Sequence, residues 1–279
     1  MSAEEPMSGE EFYHVRVRRG GVARYVLMPG DPDRVPKIAK HWDEGSEVSF
    51  HREFRVWNGK VKGVPVTACS TGIGAPSTAI AVEELARAGA DTFIRVGSTG
   101  AIQKGIRIGD LIISVAAVRL EGTSYQYAVP GYPAFASPEV VMALIEAAEN
   151  LGVRYHVGVT ASTDSFYTGQ GRAGFRGYEW SYSKQILADL KSMGVLNFEM
   201  EASVIFTLAG IYGLRAGAVC AVFANREENE FGVAGENEVA AVACEAVRIL
   251  SEWDEVKEQK GKKWFYPGLL LRKMVDERG

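Results

Sequence analysis

The chain has 279 residues, 47% hydrophobic and 24% charged, which is the composition of an ordinary folded globular protein. Its formal net charge of −4 argues against a broad nucleic-acid-binding surface, but it leaves room for a local pocket that binds a small anion. The three cysteines lie in apolar segments without a C-x-x-C pair, and the acidic N-terminus is unlike a signal peptide. These features predict buried, reduced thiols and a cytoplasmic protein.

Short apolar, β-branched segments alternate along the chain with helical patterns. Six strands are predicted, over residues 24–28, 65–70, 92–97, 111–118, 156–162 and 217–224. Their almost continuous apolar character is typical of strands that are covered on both faces. The alternation of strands and helices predicts a single α/β domain, a three-layer α/β/α sandwich around a central mixed β-sheet.

Capping residues mark the predicted helices. One helix has Ser137 as its N-cap, Pro138 at its first position and Gly152 as its stop. Other helices are expected to end near Gly89, at Gly213 and near Trp253.

Two apolar segments need separate interpretations. The longest, residues 202–224, is interrupted by Gly213 and Arg215, so it is interpreted as a helix, a turn and a strand and not as a membrane span. From Asp254 the chain becomes charged and then apolar ("WFYPGLLL"). This extension, residues 254–279, is expected to pack on its own subunit or on a neighbour, because an exposed apolar patch is usually an interface.

The segment "GQGRAG", from Gly169 to Gly174, matches the G-x-G-x-x-G fingerprint of a dinucleotide-binding turn, and Asp189 follows where that fingerprint requires an acid. Such a turn joins a strand directly to a helix. Here "TDSFYT" separates the segment from the preceding strand, and no helical pattern begins at Gly174. A surface loop is the simpler interpretation, and an NAD-dependent dehydrogenase is kept only as a competing hypothesis.

Two arginines at the ends of early strands lie beside glycine, as in sites for phosphate-sized anions. Arg34 follows Gly30, where a backbone can approach a ligand closely, and its guanidinium offers a fork of donors. Arg95 lies inside an apolar strand, where a charge is costly unless it is paired. Its partner is either a structural carboxylate or a bound anion, and the two arginines together favour the anion. The segment "STGIGAPST" (70–78) is a third candidate, either an anion site at a helix start or a simple turn.

Glu199 and Glu201 lie at the start of a predicted helix. Their charges suit the positive end of a helix dipole. A second interpretation is that a carboxylate accepts hydrogen bonds from a diol such as that of ribose, with Met200 in soft contact with the sugar.

Several segments in fixed order resemble the nucleoside phosphorylase-I family, and most closely its uridine-cleaving members. The segments are "PGDPDRV", "HREFRVWNG", "CSTGIGAPSTAIAVEEL", "RVGSTGAI", "VGVTASTDSFYTGQGR", "NFEMEAS" and "LRAG". They keep their spacing from about His14 to about Trp253. The resemblance implies one phosphorylase domain over 1–279, with a family core at about 12–253 and the extension at 254–279.

The resemblance also implies roles for individual residues. Phosphate would be bound by Gly30, Arg34, Arg95 and Ser98, with Arg52 supplied by the neighbouring subunit. Ribose would lie on Met200 and Glu201, with the neighbour's His14 at the 5′-hydroxyl, and the base would contact Phe166, Gln170 and Arg172. The residues expected to act on the reaction itself are Arg95, Gln170, Arg172 and Glu201. A monovalent cation such as K⁺ would lie between subunits at Glu53, Ile73 and Ser77.

The implied reaction is reversible phosphorolysis of uridine to uracil and ribose 1-phosphate, with phosphate as co-substrate and no required cofactor. Because two site residues would come from a neighbour, the resemblance implies a homo-oligomer, a hexamer built as a trimer of dimers, without nucleic-acid or membrane partners. Purine-cleaving relatives carry an aspartate where this chain has Asn225 and Arg226, which favours a pyrimidine. A purine or broad-specificity phosphorylase, a nucleosidase, and a nucleoside-binding protein without turnover are further competing hypotheses.

Overall fold

The computed structural model describes residues 6–269, and all statements below concern this part of the chain. The strands are β1 (Met7–Ser8), β2 (Glu11–Phe12), β3 (Tyr25–Met28), β4 (Glu44–His51), β5 (Phe54–Val61), β6 (Val64–Cys69), β7 (Thr92–Ala101), β8 (Leu111–Leu120), β9 (Ala134–Phe135), β10 (Tyr155–Thr163), β11 (Asn197–Glu199), β12 (Arg215–Asn225) and β13 (Glu230–Phe231). The helices are α1 (Arg34–Ala39), α2 (Ala75–Ala88), α3 (Pro138–Leu151), α4 (Ser181–Ser192), α5 (Ala202–Tyr212) and α6 (Glu236–Gln259).

All six predicted strands form, as β3, β6, β7, β8, β10 and β12. The antiparallel hairpin of β4 and β5 was not identified from the sequence. Strand β4 carries charged and small residues and is largely exposed, so it lacks the apolar run that marks a buried strand. The longest apolar segment forms α5 and β12, and between residues 6 and 269 no helix has the length and apolar character needed to cross a bilayer.

The central sheet is mixed, as predicted, and runs in the order β13-β12-β8-β10-β11-β7-β3-β6-β5-β4. Strand β12 pairs with β8 on one side and with β7 on the other. The strands β12, β8, β10, β11 and β7 therefore close into a ring, and the sheet continues from β7 as an open wing. This closure places the ends of β7 and β12 side by side.

Five of the six helices form two packed groups, α2 with α5, and α1 and α3 with α6, while α4 contacts the short 3-10 turn at Thr168–Gln170. The glycines predicted to stop three of them, Gly89, Gly152 and Gly213, all adopt the left-handed conformation that glycine tolerates. Ser137 precedes α3 as predicted, but its hydroxyl does not cap that helix. It accepts a hydrogen bond from the N–H of Ala216 at 2.9 Å, which ties α3 to the start of β12.

The C-terminal extension packs back on its own chain as far as residue 269. Helix α6 continues through Asp254 to Gln259, so the change in composition at Asp254 does not mark the end of an element. The ring of Phe265 stacks on Trp253 with a centroid distance of 4.0 Å, and its N–H donates to Glu139 Oε1 at 2.7 Å. The rest of the extension, 270–279, lies outside the described residues. The three cysteines are buried and free.

Candidate active site

A cavity of about 810 Å³ opens where the ends of β3, β7 and β12 meet. Ten of the residues to which the family resemblance gives a role line it: Gly30, Arg34, Ile73, Arg95, Ser98, Phe166, Gln170, Arg172, Met200 and Glu201. They come from segments as far apart as residues 30 and 201, so the fold brings together what the chain separates.

Arg95 lies in β7 with only 5% of its surface exposed. Its Nε is 2.7 Å from Glu199 Oε2, and its Nη2 pairs with Glu201 Oε2. The third nitrogen, Nη1, has no hydrogen-bond partner among the described residues. Burial by itself would lower the pKa of Arg95, but the charges of Glu201 and Glu199 outweigh it and raise the pKa above its ordinary value. The guanidinium therefore stays charged, with carboxylates beside Nε and Nη2 and a buried Nη1 that has no hydrogen-bond partner among the described residues.

The glycine that follows Arg95 by two residues makes room for this arrangement. A Cβ atom at Gly97 would lie 2.9 Å from Arg95 Cζ and 2.9 Å from Cys220 Sγ, closer than side chains normally approach. The guanidinium folds back over its own strand, and only a residue without a side chain permits that path.

The carboxylates of Glu199 and Glu201 accept hydrogen bonds from different parts of the backbone. Glu199 Oε2 accepts the N–H groups of Glu201 and Ala202 at 2.8 and 2.9 Å, so its carboxylate neutralises the first turn of α5 as the helix-dipole interpretation predicts. Glu201 Oε1 instead accepts the N–H of Gly74 at 2.6 Å, at the start of α2. Burial raises the pKa of Glu201, Glu199 raises it further, and Arg95 opposes both.

The glycine-rich segment before α2 is thus hydrogen-bonded to the carboxylate of Glu201. The N–H of Gly74, one of the amides considered for an anion, is already occupied by Glu201. This favours the turn interpretation of "STGIGAPST" over a separate anion site.

Arg34 is the first residue of α1, and Gly30 lies in the loop before it. Its Nε donates to Glu236 Oε1 at 3.1 Å, and its guanidinium lies 5.2 Å from the centre of the Phe223 ring. A Cβ at Gly30 would come within 3.1 Å of the carbonyl oxygen of Gly72, so glycine allows the two loops to approach. Arg34 and Arg95 thus line one cavity from two different segments of the chain.

The segment "GQGRAG" contributes Gln170 and Arg172 to the lining of the cavity and is not a dinucleotide turn. Strand β10 ends at Thr163, and α4 begins only at Ser181, so no strand passes directly into a helix here. Gln170 ends a short 3-10 turn, Thr168–Gln170, and Gly171 is left-handed with φ 68°.

The side chains of Gln170 and Arg172 are hydrogen-bonded to each other. Arg172 Nη1 donates to Gln170 Oε1 at 2.6 Å and to the carbonyl of Phe166 at 2.6 Å. Gln170 Nε2 donates to Thr163 Oγ1 at 3.1 Å. The Arg172 guanidinium also lies 4.1 Å from the centre of the Phe166 ring. An amide and a guanidinium are therefore held side by side over the cavity, next to an aromatic face.

Arg226 supports this wall and was named in the sequence analysis only as the neighbour of Asn225. Its Nη1 donates to the Gln170 carbonyl at 2.9 Å, and it lines the cavity. Burial, and secondarily the charge of Arg226, lower the pKa of Arg172 to about 10. The signal that could have identified Arg226 is its position directly after β12, whose end opens on the cavity.

Asn225 is buried and fully hydrogen-bonded. Its Nδ2 donates to the carbonyls of Gln103 and Ile106 at 3.2 and 2.7 Å, and its Oδ1 accepts the N–H groups of Glu227 and Glu228 at 2.8 and 3.1 Å. The amide therefore holds the loop after β12 in place.

Two residues expected to serve a neighbour's site, His14 and Arg52, do not reach the cavity of their own chain. His14 lines a separate cavity of about 150 Å³, and Arg52 is exposed. The two lie together, because the Arg52 guanidinium is 5.8 Å from the ring of Tyr13, which packs edge-on against His14.

The residues expected to bind a monovalent cation are grouped near Gly72. A Cβ at Gly72 would lie 2.9 Å from Glu53 Cγ and 3.3 Å from Ser77 Oγ, and Ile73 is the next residue, 79% exposed. Glu53 and Ser77 therefore both lie against Gly72, and carboxylate and hydroxyl oxygens are donors that hard cations prefer.

Comparison with known proteins agrees with this architecture. Residues 24–252 match a family model described as the phosphorylase superfamily. A uridine phosphorylase of Thermococcus kodakarensis is 65% identical over 270 residues, which cover 96% of this chain and 98% of the relative. A uridine phosphorylase of Escherichia coli is 43% identical, covering 88% of this chain and 100% of the relative.

A guanosine phosphorylase of Halorubrum lacusprofundi is 40% identical over 212 residues, which cover 76% of this chain and 83% of the relative. Relatives with purine and pyrimidine names therefore match the same chain. The match covers most of the chain, and this protein belongs to the phosphorylase superfamily.

Proposed function

We propose that the protein is a uridine phosphorylase, which converts uridine and phosphate reversibly into uracil and ribose 1-phosphate. The observation that carries the proposal is one cavity that holds both Arg34 and Arg95 and, on another wall, the locked pair of Gln170 and Arg172. The names of the relatives from Thermococcus kodakarensis and Escherichia coli support it.

Phosphate is bound by Arg34 and Arg95, with the Ser98 hydroxyl and the close backbone approach at Gly30. The free Nη1 of Arg95 supports this role, because a buried donor without a partner is costly unless a ligand satisfies it. Positioned beside the sugar, the phosphate acts as a nucleophile that is already oriented, which removes much of the entropic cost of the reaction.

Cleavage of the N-glycosidic bond builds positive charge on the sugar and negative charge on the departing base. Uracil has no ring nitrogen like N7 of a purine to protonate, so its charge must be stabilised on the carbonyl oxygens. Arg172 donates to one carbonyl, and the Gln170 amide both donates and accepts beside N3–H. Donors held where charge develops contribute several kcal/mol, on the order seen for oxyanion holes.

The ribose is bound by Met200 and Glu201, and Phe166 covers the sugar and base. Glu201 accepts from the sugar hydroxyls while Arg95 and the Gly74 N–H fix its carboxylate. The fixed carboxylate also lies close to the phosphate site, where it balances positive charge as the bond breaks.

The site is completed by a second copy of the chain, which supplies His14 and Arg52. The position of both residues outside their own chain's cavity supports this part of the proposal. The assembly is a homo-oligomer, a hexamer of three dimers, and Glu53, Ile73 and Ser77 hold a monovalent cation at a subunit boundary. The protein acts in the cytoplasm, without a further cofactor.

A panel of nucleosides tests the substrate assignment. Purified protein is assayed with uridine, inosine and guanosine in the presence of phosphate, and base release is followed by chromatography. We expect kcat/KM for uridine to exceed that for either purine nucleoside by at least about 100-fold. A site that forms hydrogen bonds with one base edge discriminates to this degree, because its buried polar groups stay unpaired with another base. A preference for guanosine would assign the chain to the activity named for the Halorubrum lacusprofundi relative.

A further inference from the structure

Glu84 is a buried carboxylate with an unusually complete set of contacts to one short segment. Its Oε2 accepts the N–H of Val15 at 2.8 Å and of His14 at 3.1 Å. Its Oε1 lies 2.6 Å from His14 Nδ1. The side chain is only 8% exposed, so these contacts determine its environment.

The contact to His14 fixes which ring nitrogen carries a proton. An ionised carboxylate can only accept hydrogen bonds, so Nδ1 must be the N–H that donates to Glu84. In the neutral imidazole the other nitrogen, Nε2, then has a lone pair and acts as an acceptor. A carboxylate that orients a histidine in this way sets its tautomer as well as its direction.

The ring is also held from its sides. Tyr13 and Phe54 pack edge-on against it with centroid distances of 5.0 and 6.3 Å. Between residues 6 and 269 no side chain or carbonyl pairs with Nε2. His14 is 22% exposed at a small cavity that Glu84 and Arg87 also line, so an outside group can reach it.

We propose that Glu84 is a positioning residue that presents His14 Nε2 as a hydrogen-bond acceptor, so that the neighbouring copy's site recognises a ribose 5′-hydroxyl as a proton donor. This inference rests on the proposed function, because it assigns the polarity of one contact in that site. Glu84 touches no substrate and acts through His14.

The same helix links the two sites. Gly74, just before α2, donates to Glu201 in one site, and Glu84 lies ten residues later. At 1.5 Å per residue this separation is about 15 Å along the helix. Helix α2 therefore fixes the sugar-binding carboxylate of its own chain at one end and the histidine offered to the neighbour further along.

Three nucleosides test the polarity: uridine, 5′-deoxyuridine, and 5′-deoxy-5′-fluorouridine, whose fluorine resembles a hydroxyl in size but has no proton to donate. Assays are run with phosphate at mildly alkaline pH, where histidine side chains are ordinarily neutral. The wild type should favour uridine over both analogues by about tenfold in kcat/KM, the worth of one hydrogen bond. Turnover of the fluoro analogue as efficient as that of uridine would overturn the assigned polarity.

Glu84→Gln tests the positioning role and keeps an oxygen for the N–H groups of His14 and Val15. Its amide nitrogen then faces Nδ1, which reverses the tautomer and turns Nε2 into a donor. The preference for uridine over the fluoro analogue should fall from about tenfold to within about threefold, while turnover of 5′-deoxyuridine stays near the wild-type value. Glu83→Gln, on the same helix but bonded to Tyr212 and Arg87, is the matched control and should keep the wild-type preference.

The outcomes separate the two proposals. An unchanged preference in Glu84→Gln, with the preference lost in His14→Ala, would show that Glu84 does not act through the histidine. A wild-type protein that cleaves none of the three nucleosides with phosphate would overturn the proposed function and this inference with it.

Discussion

Arg172 Nη1 lies 2.6 Å from Gln170 Oε1, so the two side chains proposed to bind the base form one rigid unit before any ligand arrives. Gln170 is in turn fastened to Thr163, which continues the chain of contacts into β10. Preorganised donors of this kind stabilise developing charge without a further cost of reorganisation.

The role of Arg172 can be separated from phosphate binding. Arg172→Ala should lower kcat/KM for uridine by about 100- to 1000-fold, the cost of removing one such donor, and should leave KM for phosphate within about twofold. Steady-state kinetics with each substrate varied in turn measure both effects. Arg176→Ala, an exposed arginine four residues along the same loop, is the control and should be nearly neutral. An equal loss of phosphate affinity in Arg172→Ala would mean that Arg172 belongs to the phosphate site.

Gly97 is expected to be essential for the path of Arg95. In Gly97→Ala the new Cβ would meet Arg95 Cζ and Cys220 Sγ at 2.9 Å, so the guanidinium must move. Overpacking of this kind costs about 1–3 kcal/mol of stability, and displacement of Arg95 should raise KM for phosphate by at least about tenfold. Gly131→Ala, where a Cβ meets nothing within 4 Å, should change neither quantity. If Gly97→Ala kept the wild-type affinity for phosphate, the assignment of Arg95 to the phosphate site would be contradicted.

Asn225→Asp should destabilise the protein without creating a purine phosphorylase. The new carboxylate would face the carbonyl oxygens of Gln103 and Ile106, to which the Asn225 amide now donates. The loss of these hydrogen bonds and the unpaired buried oxygen should lower the free energy of unfolding by about 1–3 kcal/mol, or by more if the new group is charged. Thermal unfolding and an inosine assay check both parts, with Asn229→Asp at the cavity rim as the control. Efficient inosine cleavage by Asn225→Asp would contradict a purely structural role for this side chain.

Asp254 should contribute acid-dependent stability. Burial by itself would raise its pKa, but hydrogen bonds from Arg215, Lys257 and Tyr25 outweigh this and lower it from 3.8 to about 2. Because the folded-state pKa is depressed, the contribution is complete above pH 3.8 and is lost as the pH falls to about 2. This difference in pKa between the unfolded and the folded protein corresponds to about 2 kcal/mol of folding stability.

Melting curves between pH 2 and 7 test this contribution. Asp254→Asn should be less stable than the wild type above pH 4, and the difference should shrink toward pH 2. Asp91→Asn, whose carboxylate is 40% exposed, should not reproduce this convergence. A difference between wild type and Asp254→Asn that stays constant over the whole range would refute the assignment.

Much of the fold could be predicted because six of its strands are apolar and three of its helices end at glycine. The hairpin of β4 and β5 could not, because its outer strand is exposed and polar. The closure of the sheet through β12 depends on pairings between distant strands, which local patterns do not encode.

In the site too, local patterns identified the important residues but not the distant contacts between them. The need of Arg95 for a partner was visible from its apolar strand, and the sequence favoured an anion over a structural carboxylate as that partner. The structure supplies two carboxylates, Glu199 and Glu201, as the partners of Arg95. Ser137 occupies the predicted N-cap position of α3, but its hydroxyl accepts a hydrogen bond from Ala216 instead of from the first turn of the helix, a tertiary contact that the sequence does not show.

In the proposed reaction phosphate, and not water, takes the ribose from uridine. The most direct measurement is ³¹P NMR of a reaction that contains the protein, uridine and phosphate, with uracil measured in parallel. A new signal of ribose 1-phosphate should grow in equal amount with uracil, and no uracil should be released when phosphate is left out. Uracil accompanied by free ribose, at a rate independent of phosphate, would contradict the proposed reaction.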